Sequence, residues 1–125
     1  MTQRLWLPVT LMLLFACGGS QTRGTRDRTV ITEREIEESA LLDAFEVVRA
    51  LRPEFLRTRG SSSFRATEPV EAQVYVDGVR IGDTASLRRL PREVLREIRY
   101  VDAREATTRY GTGHGAGAIL VATKR

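Results

Sequence analysis

Val74-Tyr75-Val76-Asp77-Gly78-Val79-Arg80-Ile81 is the stretch on which the reading of this chain turns. Val74 and Val76 alternate with Gln73, Tyr75 and Asp77, and a period of two sends the two sets to opposite faces of a strand. Asp77-Gly78 tolerates the positive φ angles of a tight two-residue turn. Val79-Arg80-Ile81 is then the return strand, closed by Gly82-Asp83. The segment predicts a β-hairpin.

Downstream, Ser86 to Leu90 precedes Pro91, and Arg92 to Arg96 reads as a short helix. Glu97-Ile98-Arg99-Tyr100-Val101-Asp102 alternates again and predicts a strand. Ala103 to Tyr110 holds no breaker and reads as a helix stopped at Gly111. Gly117 to Thr123 is nearly all apolar, as expected of a strand in a buried central position. Between them, the glycines at 111, 113, 115 and 117 let the backbone turn tightly: Gly111, Gly113 and Gly117, with Asp77 and Gly78, are the structural turn residues.

Upstream, Thr32-Glu33-Arg34-Glu35 is a capping-box pattern with Thr32 as N-cap. Ile36, Ala40, Ala44, Val47, Val48 and Leu51 recur at helical spacing, widened by Leu41 and Phe45. Glutamates crowd the first turns, Arg49 and Arg52 sit at the end, and Pro53 stops the pattern. One amphipathic helix is predicted, packing its apolar face on the sheet. A membrane-surface role is the alternative, but so acidic a polar face suits anionic lipid poorly. Residues 58–69 read as a polar Gly/Ser-rich loop, whose three adjacent serines suggest flexibility before a nucleophile. The order is α+β: a single domain over residues 30–125, with a small mixed β-sheet and two or three helices.

The N-terminal region has a different character. Leu5 to Phe15 is apolar behind the single charge of Arg4. In a helix it spans roughly 16 Å, about half a bilayer core, so it reads as the core of a signal peptide over residues 1–16 and not as a transmembrane helix. Cys17 follows Leu14-Phe15-Ala16 and precedes Gly18. Residues 18–29 hold no hydrophobic residue, so 17–29 reads as the cysteine plus a flexible tether.

The chain carries a net charge of +4, with 42% hydrophobic and 29% charged residues, an ordinary globular composition. Removing Arg4 with the leader leaves 19 basic against 16 acidic residues, and Lys124 is the only lysine. An arginine bias suits phosphate or carboxylate recognition, and codon composition explains it equally well. The basic residues are interleaved with acids and form no long run, so no nucleic-acid footprint is visible. A lone cysteine excludes an internal disulfide.

Two resemblances carry the functional expectation. Leu14-Phe15-Ala16-Cys17 resembles the lipobox of bacterial lipoproteins, which implies lipid (palmitate and diacylglycerol) on Cys17; the alternative is an ordinary cleavage near Ala16 that leaves a free thiol. Gly18 after the cysteine implies sorting to the outer membrane. Further on, Val74-Tyr75-Val76-Asp77-Gly78, Leu90-Pro91-Arg92-Glu93-Val94, Glu97-Ile98-Arg99-Tyr100-Val101, Tyr110-Gly111-Thr112-Gly113 and Gly117-Ala118-Ile119-Leu120-Val121-Ala122-Thr123-Lys124 closely resemble, in that order, the plug domain of TonB-dependent outer-membrane receptors. Thr32-Glu33-Arg34-Glu35-Ile36 supplies the upstream helix of that pattern. The similarity covers Val30 to Lys124. It implies a plug-like fold and a cell-envelope location. In the family the plug is enclosed by a large barrel; these 125 residues read as a stand-alone plug, without a clear TonB box before it.

Candidate chemistry is sparse. A phosphate-cradling loop needs strand, glycines, then helix, and here the glycines lead into a strand. His114, the only histidine, has no Cys or His partner for a metal and reads as an exposed turn residue. Asp77 and Asp83 stand at hairpin positions; with Asp102 they would otherwise be a carboxylate pair. Tyr75, Tyr100 and Tyr110 are expected to pack at sheet and helix edges, a shared aromatic patch being the functional alternative. No catalytic residue, cofactor or metal is expected. The reading is a non-enzymatic, lipid-anchored interaction module, facing the periplasm from the outer membrane. It would contact an envelope protein, a barrel or an energy-transducing partner, through edge strands and loops. The alternative is an extracytoplasmic binder of a small ligand that assists outer-membrane uptake.

Overall fold

The computed structural model describes residues 27–59 and 69–125. Cys17, the segment read as a leader, and most of those read as a tether and a serine loop lie outside the described residues. Five strands form one mixed sheet in the order β1 (Val30–Ile31), β4 (Leu95–Val101), β5 (Ala118–Thr123), β2 (Gln73–Val76), β3 (Val79–Gly82). Helices α1 (Glu33–Ser39), α2 (Ala44–Leu51) and α3 (Ala103–Tyr110) complete a small α+β domain, with 3₁₀ turns at Pro53–Leu56, Thr84–Arg89 and Arg92–Val94.

β5 is central, antiparallel to β4 and parallel to β2, where the apolar run Ala118-Ile119-Leu120-Val121 is covered on both faces. One face meets α1 and α2: Ile36, Val47 and Val48 pack with Ile31, Val74, Ile98, Ile119 and Val121. Each such fully buried aliphatic side chain contributes about 1.5–3 kcal/mol. The other face is covered at one end by α3, through Ala106 against Tyr75, Val101 and Ala118. This second layer explains a departure from the alternation read in the hairpin, since Tyr75 is buried along with Val74.

The Asp77-Gly78 turn takes the expected form, with φ of 47° and 86° and Val76 opposite Val79. The helix at Ala103–Tyr110 ends at Gly111 as predicted. The short helix expected over 92–96 shrinks to a 3₁₀ turn at Arg92–Val94, and β4 starts two residues early, at Leu95. Lys124 N donates to Val94 O at 2.8 Å, a pairing across the chain that favours the extended form there.

The single helix expected from Thr32 to Pro53 is two. The capping box is present at Thr32 and Glu35, but Ala40 adopts a left-handed conformation (φ 53°) and ends α1. Asp43 then starts α2 by accepting from Glu46 N at 2.9 Å. In a continuous helix Ala44 N would donate to Ala40 O. Instead it donates to Leu90 O at 2.9 Å, and Arg92 N donates to Leu42 O at 3.0 Å. Pairing with the segment around Pro91 replaces one helical turn, and Leu42 is left 77% exposed. The two helices are clamped by Arg52, whose Nη2 lies 3.2 Å from Glu35 Oε1. Burial alone would raise the Glu35 carboxyl, but bonds from Thr32 N–H and Arg52 outweigh it and hold the group below 4.5.

Candidate interaction surface

Asp77 does more than turn the hairpin. Its carboxylate accepts from Thr123 N at 3.1 Å and from Thr123 Oγ1 at 2.5 Å, fastening the turn to the end of β5. The Thr123 hydroxyl and backbone N–H hold its carboxyl below 3.8. Next to it Lys124 Nζ lies 2.9 Å from Glu33 Oε1 and 3.0 Å from Glu37 Oε1, fixing the strand end to α1. The groove lined by Glu33, Asp77, Arg96, Thr123, Lys124 and Arg125 is therefore largely engaged with itself. Asp83 and Asp102 are kept apart from Asp77 as caps: Asp83 accepts from Ala85 N, and Asp102 from Arg104 N and Glu105 N. The structure assembles no carboxylate pair from these three.

His114 corrects the reading of an exposed turn residue, for it is 4% exposed. Its Nδ1 lies 2.9 Å from Gly111 O and its Nε2 2.8 Å from the Tyr75 hydroxyl. A carbonyl can only accept, so Nδ1 carries the hydrogen; Nε2 of the neutral ring then accepts from Tyr75 O–H. The Tyr75 ring stacks on Tyr110 with centroids 4.3 Å apart. The loop after α3 is thus folded around one buried polar contact. Tyr100 stands on the other face, stacked on Phe55 at 5.1 Å, and donates to Ala116 O at 2.9 Å. The three tyrosines form no single patch. The Tyr75–His114 pair was missed because its members lie 39 positions apart.

Of the glycine series, Gly111, Gly113 and Gly117 have positive φ and Gly115 does not. Only Gly117 is required by close approach: a Cβ there would meet Val101 O at 2.4 Å. Around Gly111 and Gly113 there is open space. Among the described residues, no group of three or more His, Cys, Asp or Glu could hold a metal ion, and no helix is long and apolar enough to cross a membrane.

Among the described residues, large apolar side chains are exposed at Leu42, at Val94 and, two together on one strand, at the hairpin. Val79 is 65% and Ile81 38% exposed, on a strand that forms the outer edge of the sheet. Sequence periodicity places Val79 and Ile81 on one face of a strand, but it does not say that β3 lies at the edge. No protein-family model, curated protein or solved structure matches this chain.

Proposed function

We propose that the chain is a non-enzymatic, lipid-anchored module of the cell envelope, with a fold like that of the plug of TonB-dependent receptors, held at the outer membrane by Cys17 and facing the periplasm. It works by contact with an envelope protein, a barrel or an energy-transducing partner. The observation that carries the reading is the open β3 edge with Val79 and Ile81 exposed, since edge strands offer both backbone hydrogen bonds and side-chain contacts to a partner. The motifs that resemble the plug fall, in chain order, on the turn at Asp77-Gly78, the segment after Pro91, β4, the glycine loop and β5, which is compatible with the reading. Affinity capture after mild crosslinking in the envelope tests the contact. An envelope protein enriched over a control lacking residues 30–125 is expected, and no enrichment would overturn the reading. Labelling with radioactive palmitate tests the anchor, the label being expected on the wild type and absent from Cys17→Ser.

A further inference from the structure

Edge strands are normally guarded by charge, proline, a bulge or a cover, because their unpaired backbone groups template further pairing. In β3 the guard is partial. The two-residue turn makes Val76 and Val79 the hydrogen-bonded closing pair, so the next residue, Arg80, turns its N–H and C=O away from β2. Among the described residues, no backbone group outside the hairpin hydrogen-bonds to residues 79–82. A bulge opposite Val74 and Tyr75 ends the regular stretch, so the open edge is short, from Val79 to Ile81. Within it, two exposed apolar side chains flank one arginine.

The arginine decides which partner fits. Arg80 donates from Nε at 3.0 Å and Nη2 at 2.7 Å to Gln73 Oε1, a neutral amide oxygen. No ion pair among the described residues includes Arg80. Among the described residues its charge is therefore held in place at the edge but not neutralised, with further guanidinium donors to spare. A second copy of this chain is a poor occupant. The antiparallel register that sets Val79 against Ile81 of another copy also sets Arg80 against its own counterpart, and like charges directly opposite repel. We propose that β3 is a docking edge for an extended segment of a different protein, adding as a further strand, with an acidic residue opposite Arg80 and apolar residues on either side. This rests on the reading of the chain as an interaction module and names the chemistry of its partner.

Two labelled peptides test it, each alternating valine and threonine, one with glutamate and one with lysine at its centre, titrated with the full chain in detergent micelles and followed by fluorescence anisotropy. The glutamate peptide is expected to bind about tenfold tighter than the lysine peptide, the swing that exchanging a favourable for a like-charged cross-strand pair gives. Arg80→Glu is expected to invert the preference, and the double variant Val79→Thr, Ile81→Thr to abolish binding; all three positions are exposed, and circular dichroism verifies the fold. Equal affinities, no binding of either peptide, or a preference unmoved by Arg80→Glu would overturn the proposal. So would a wild-type dimer that competes with the peptide, which would make a second copy the occupant. If the edge is silent while envelope crosslinking still captures a protein, the docking edge falls and the module reading stands; if both are silent, both fall.

Discussion

Replacing Gly117 by alanine isolates a close approach from ordinary glycine flexibility. Gly113 and Gly117 have similar backbone angles, φ of 96° and 86°. A Cβ on Gly113 would meet nothing within 4 Å, whereas one on Gly117 would meet Val101 O at 2.4 Å, the Tyr100 hydroxyl at 2.7 Å and Tyr100 Cζ at 2.9 Å. Gly113→Ala therefore costs strain alone, about 1–2 kcal/mol. Gly117→Ala adds displacement of the Tyr100 phenol, which gives up its bond to Ala116 O, worth about 1 kcal/mol. The Val101 carbonyl belongs to β4 and cannot retreat without pulling that strand from β5, a further loss of about 1–2 kcal/mol. The sum is about 3–5 kcal/mol, a large share of the roughly 5–10 kcal/mol expected for a domain of this size. At about 4–8 °C per kcal/mol, the Tm falls by roughly 12 °C or more. Urea unfolding followed by far-UV circular dichroism measures both variants. Costs within about 0.5 kcal/mol of each other, a difference too small for a core clash, would refute the close-approach argument.

Three further outcomes follow from the packing. Tyr75→Phe leaves His114 Nε2 buried without its donor, an expected loss of about 1–3 kcal/mol in urea unfolding, and His114→Phe in the same background adds less than it does alone. Asp43→Ala removes the cap of α2 and is expected to cost about 1 kcal/mol by thermal unfolding, whereas an unbroken helix from Thr32 to Pro53 would make the change neutral or stabilising. Glu35 and Asp77 are both held below their ordinary values of 4.5 and 3.8, so their contributions are fully present above those values and are lost as pH falls through the lower folded values. Urea midpoints should decline as the pH is lowered below about 4.5, and Glu35→Gln with Asp77→Asn should flatten that decline; an unchanged acid limb would count against both sets of hydrogen bonds.

Local signals were legible wherever neighbouring residues supply the whole interaction. The Asp77-Gly78 turn, the capping box at Thr32 and Glu35, and the arrest of α3 at Gly111 each depend on groups a few positions apart. β5 was legible as a central strand because burial on both faces demands an apolar run. The break at Ala40–Asp43 was not legible, since Ala40-Leu41-Leu42 are good helix formers. Only the competing bonds with Leu90 and Arg92 show why the helix gives way. His114 was misread for the same reason, its partner Tyr75 being brought to it by the pairing of β2 with β5.

By itself, then, the amino-acid order determined the α+β class, the hairpin and the final strand, because these follow from periodicity, caps and residue chemistry. Tertiary structure alone decided the order β1-β4-β5-β2-β3, which leaves β3 outermost, exposes Val79 and Ile81, and separates Gly117 from its sister glycines. An edge exists only once every strand has chosen its neighbours, and that choice is made by contacts between residues distant in the chain.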